Sequence, residues 1–82
     1  MNRQAITQAI TDRVESVKPA DYSLWTIGLT QFPEERKKQR QWIADSLSDA
    51  KDIESFFVNQ KGMKVEATMD FNDHRTVYIY IF

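Results

Sequence analysis

The chain has 82 residues, with eleven Lys and Arg against twelve Asp and Glu, and a formal net charge of −1. It lacks the basic excess through which nucleic-acid-binding domains neutralise phosphates. It also has no cysteine, which excludes disulfides and thiolate zinc sites. With 41% hydrophobic residues but only two Gly and two Pro, residues 1–82 read as a single small domain without a long flexible linker.

Met1-Asn2-Arg3-Gln4 lacks the basic-then-apolar layout of a signal peptide, and no apolar run approaches ~18 residues. No membrane association is expected, and a cysteine-free chain suits a cytoplasmic, reducing location.

From Asn2 to Lys18, Ile6, Ile10, Val14 and Val17 recur at helical spacing, and Pro19 closes the segment. An amphipathic helix laid on a sheet is expected. Over Tyr22–Thr30, Trp25, Ile27 and Leu29 alternate with Leu24, Thr26 and Gly28, which predicts a strand. Gly28 there marks a bulge or a close approach. Phe32-Pro33-Glu34-Glu35 has the residues that open a helix, and Glu34 can pair with Lys38 one turn on. Gln41 to Asp45 fits either a continuation of that helix or a short strand.

Ser48 or Asp49 suits the cap of the next helix, whose apolar stripe is Ala50, Ile53, Phe56 and Phe57. Lys61 falls in its last turn and Gly62 at the left-handed stop. Val65, Ala67, Met69 and Phe71 then alternate with polar residues, and Asn72-Asp73-His74 turns the chain. Thr76–Phe82 carries Val77, Ile79 and Ile81 on one face and Tyr78, Tyr80 and Phe82 on the other. The pattern predicts a β-hairpin. The fold class is therefore α+β, a small and mostly antiparallel sheet packed with helices, in the order α-β-α-(β)-α-β-β.

Phosphate-binding glycine loops, Ser-His-Asp sets and paired-His metal spacings are absent. His74, the only histidine, reads as a solvated turn residue. The concentrated charge is Arg36-Lys37-Lys38 with Arg40, in which Arg36 and Arg40 would share a helix face. It is either a solvated face or a binding site, formed by Arg36, Lys37 and Arg40, for phosphate or an acidic partner.

Thr26-Ile27-Gly28-Leu29-Thr30, followed by Pro33-Glu34-Glu35-Arg36, resembles the second half of the GIY-YIG endonuclease signature. Ala50-Lys51-Asp52-Ile53-Glu54-Ser55-Phe56-Phe57-Val58 is similar to that family's helix bearing a metal-binding Glu. The resemblance spans roughly residues 24–62. It implies a catalytic Arg36, a metal-binding Glu54, a Mg²⁺ or Mn²⁺ cofactor, and a strand over Gln41–Asp45. The sequence departs from the family where the first signature strand should stand, and Thr26 replaces the second tyrosine. Thr76–Phe82 is chemically like the missing strand. If it pairs antiparallel with Tyr22–Thr30 as an interior strand, Tyr78 or Tyr80 could stand near Arg36.

Two functions follow from this. The first is a binding or accessory module, like a GIY-YIG domain that has lost its reaction. It would need no cofactor, and its partner would be a protein or, with less support, nucleic acid. The second is a metal-dependent phosphodiesterase using Arg36, Glu54 and Tyr78 or Tyr80.

Overall fold

The computed structural model describes residues 1–35, 38–66, 71 and 75–82. The first helix, α1, spans Arg3–Glu15; Asn2 caps it, accepting from the Ala5 N–H at 2.7 Å. Ile6, Ile10 and Val14 are fully buried along one stripe. Val17, expected to extend that stripe, lies past the helix end and is 43% exposed.

The predicted strand over Tyr22–Thr30 divides. Tyr22–Leu24 is a 3-10 turn, in which the Asp21 carboxylate accepts from the Ser23 N–H and hydroxyl. That local competition for the backbone delays β1 to Thr26–Thr30. After β1, Pro33–Glu35 makes only one 3-10 turn. Lys38 donates to the Pro33 carbonyl at 2.6 Å instead of pairing with Glu34. Arg40–Ile43 is a strand, β2, which settles the ambiguity over Gln41–Asp45.

Helix α2 spans Leu47–Asn59, and its cap is Ser46, whose hydroxyl accepts from the Asp49 N–H at 3.0 Å. Ser48 and Asp49 therefore lie inside the first turn. Ala50, Ile53 and Phe57 are buried, whereas Phe56 points sideways and is 39% exposed. Lys61 lies beyond the helix, and Gly62 takes a positive φ of 83° as expected of a left-handed stop.

Two more strands follow, β3 (Lys64–Val65) and β4 (Tyr78–Ile81). The sheet order is β2-β4-β1-β3. β4 runs antiparallel to both β1 and β2, and β3 runs parallel to β1. The expected hairpin is thus corrected: both edges of β4 are taken by β1 and β2, and β3 lies beyond β1. Residues 67–70 and 72–74, which held most of the first hairpin strand and its turn, lie outside the described residues. The interior placement of the last strand is correct over Tyr78–Phe82 against Thr26–Thr30, with Thr26 and Phe82 exchanging backbone hydrogen bonds at 2.7 and 3.0 Å, and its second neighbour is β2 in place of the hairpin partner.

Paired residues share a sheet face. Ile27, Leu29, Ile79 and Ile81 face the helices and merge with the α1 and α2 stripes into one core, joined by Trp25, Met63 and Val77. Gly28, Thr30, Tyr78 and Tyr80 turn to the opposite face, with Gln41 and Ile43 beside them. The molecule is thus two layers, helices behind a sheet, as the α+β class requires. No described helix is long and apolar enough to cross a membrane.

Candidate functional site

The residues proposed for chemistry fall in three places. Arg36 and Lys37 lie outside the described residues, as does His74. Arg40 opens β2 and is exposed. Glu54 stands in the middle of α2, and Tyr78 and Tyr80 stand on β4.

Tyr80 and Tyr78 are on the face turned away from the helices, because their partners across the ladder are Gly28 and Thr30 rather than the core residues Ile27 and Leu29. Glu54 belongs to the helix layer, where α2 packs on β1 and β4. The sheet therefore lies between the tyrosine-bearing face and the helix that carries Glu54.

Tyr80 is 1% exposed. Its ring lies over Gly28, where any Cβ would overlap it, so Gly28 serves the close approach that its place in a strand suggested. The ring also stacks on Phe82, with centroids 6.1 Å apart and planes 7° from parallel. Its hydroxyl donates to the Glu66 carboxylate. Glu66 was not among the sequence candidates: it is one of several alternating polar residues, and its contact with β4 reaches across β1. Tyr78 is half-buried beside Thr30 and Ile43.

Glu54 is electrostatically unusual. Its Oε2 is buried with no hydrogen-bond partner. Burial pushes its carboxyl above the usual carboxylate range, and the nearby Lys51 ammonium offsets part of this. Among the described residues no group of three Asp, Glu or His side chains is arranged to hold a metal ion. A cation at Glu54 would need its other ligands from water or a phosphate-bearing substrate.

Other cationic side chains rest on rings. Arg75 lies 4.7 Å from the Phe32 centroid, Arg13 is 5.8 Å from Trp25, and Lys61 is 5.5 Å from Tyr22. These contacts anchor the loops and helix ends to the fold. No known protein family matches this sequence, and neither a characterised protein nor a solved structure matches it at a significant level.

Proposed function

We propose that this chain is a small binding or accessory module resembling a GIY-YIG domain without the nuclease reaction. The observation carrying this reading is the burial of Tyr80. A phenol that positions or activates an attacking water must reach that water. At 1% exposure, packed on Gly28 and bonded to Glu66, Tyr80 braces the sheet instead. The separation of the tyrosine face from the helix bearing Glu54 supports the same reading.

The test is incubation of the purified chain with mixed DNA and RNA substrates and Mg²⁺ or Mn²⁺. No cleavage is expected. Metal-dependent cleavage abolished by both Arg36→Ala and Glu54→Ala would replace this reading with the phosphodiesterase one, in which Tyr78 is the more accessible phenol.

A further inference from the structure

Strand β2 forms one border of the sheet, and among the described residues only its inner edge pairs with another strand. The Ala44 N–H bonds inward to the Val77 carbonyl at 3.0 Å. Backbone groups alternate sides along an antiparallel strand, so Gln41 and Ile43 turn their N–H and C=O groups outward. The Ile43 carbonyl accordingly accepts from the Met1 ammonium at 2.8 Å. The outward groups of Gln41 have no backbone partner among the described residues. Along this edge runs an open groove of about 390 Å³, lined by Met1, Gln41, Trp42 and Ile43. Ile43 is 49% exposed and Met1 50%.

We propose that a second copy of this chain docks on this edge, the two β2 strands pairing antiparallel about a two-fold axis at Gln41. Charge complementarity selects the occupant. The strand leaves a basic end, Lys38 and Arg40, and arrives at an acidic one, Asp45, one carboxylate oxygen of which lies 3.2 Å from the Met1 ammonium while the side chain stays exposed. A two-fold axis brings the basic end of each copy to the acidic end of the other, whereas parallel pairing sets like charges together.

Hydrogen bonding selects the register. Centring on Gln41 lets the two Gln41 residues exchange both backbone bonds and leaves the Ile43 carbonyl to Met1. A one-residue shift of the axis to Trp42 would set the Gln41 N–H in competition with that ammonium. In the Gln41 register Arg40 of each copy stands opposite Trp42 of the other, on the face both residues share. The Arg40 side chain makes no hydrogen bond or ion pair among the described residues, so its guanidinium is available to the half-buried indole. The symmetry is closed, which consumes an edge that would otherwise template open-ended association.

Sedimentation equilibrium of the full chain, run from micromolar to millimolar concentration, tests this together with amide hydrogen exchange at Gln41. The expected result is a rise towards twice the 9.7 kDa chain mass, with the Gln41 amide becoming protected in step. Arg40→Glu should weaken association by about tenfold, the loss of two cation–π contacts of moderate strength. Gln41→Pro removes an outward N–H and should leave a folded monomer. If that variant does not fold, Arg40→Glu and the exchange data still decide. A 9.7 kDa particle at every concentration overturns the proposal. So does a dimer in which Gln41 exchanges freely or Arg40→Glu has no effect, because the contact would then lie elsewhere. None of these readouts involves cleavage or an external ligand, so the dimer stands or falls apart from the binding-module reading.

Discussion

Glu54 holds a carboxylate oxygen that burial has removed from water without supplying a donor. Its pKa is raised, mainly by that desolvation, so the native state holds the proton more tightly than the unfolded chain. By linkage, wild-type stability falls as pH rises through the elevated native pKa. Glu54→Gln should therefore be more stable than wild type at neutral pH, with the advantage shrinking to nothing below the ordinary carboxylate range. Urea unfolding at both pH values checks this, and an advantage independent of pH would show that ionisation is not its source. Tyr80 offers the opposite kind of residue, one fully committed to its neighbours. Gly28→Ala must displace its ring from a buried position and should cost about 1–3 kcal/mol, the usual range for overpacking. Tyr80→Phe keeps the ring but removes the bond to Glu66, at about 1–3 kcal/mol. Thermal or denaturant unfolding measures both.

At the scale of elements, periodicity told where apolar surface would lie better than it told which strands would meet. The i, i+4 run Ile6-Ile10-Val14 is legible as a buried helix stripe because an isolated amphipathic helix has no other use for it. The same reasoning places Phe57 in the core, where it is fully buried. Phe57→Ala should cost about 3–5 kcal/mol in equilibrium unfolding, and a near-neutral result would mean the stripe is not core. Ser46→Ala should cost about 1 kcal/mol as a lost N-cap. Sequence alone could not choose Ser46 over Ser48 or Asp49, since all three are capping residues and only the hydrogen bond to Asp49 distinguishes them. The alternation of residues 65–71 indicated a strand but not its partner. That choice depends on competition for the edges of β4, which β1 and β2 win. Thr76–Phe82 was readable as interior because a strand apolar on both faces needs cover on both. The faces of Tyr78 and Tyr80 followed from the same alternation. Their separation from the helix carrying Glu54 did not, because it depends on both helices packing on one side.

Over the whole molecule, the arrangement that matters most is the position of β4 between β1 and β2, which do not touch one another in the sheet. Deleting residues 77–82 should abolish cooperative unfolding altogether rather than lower its midpoint, as near-ultraviolet circular dichroism of the shortened chain would report. The strand needed at the centre is thus synthesised after both of the strands it joins. While the ribosome is still adding residues 31–76, β1 is exposed on the side it will give to β4, and β2 has no sheet to join. At about 5–20 residues per second, that interval lasts several seconds. Through that time Ile27, Leu29 and Trp42 depend on the two helices, or on a chaperone, for cover. The native sheet then closes in one late event.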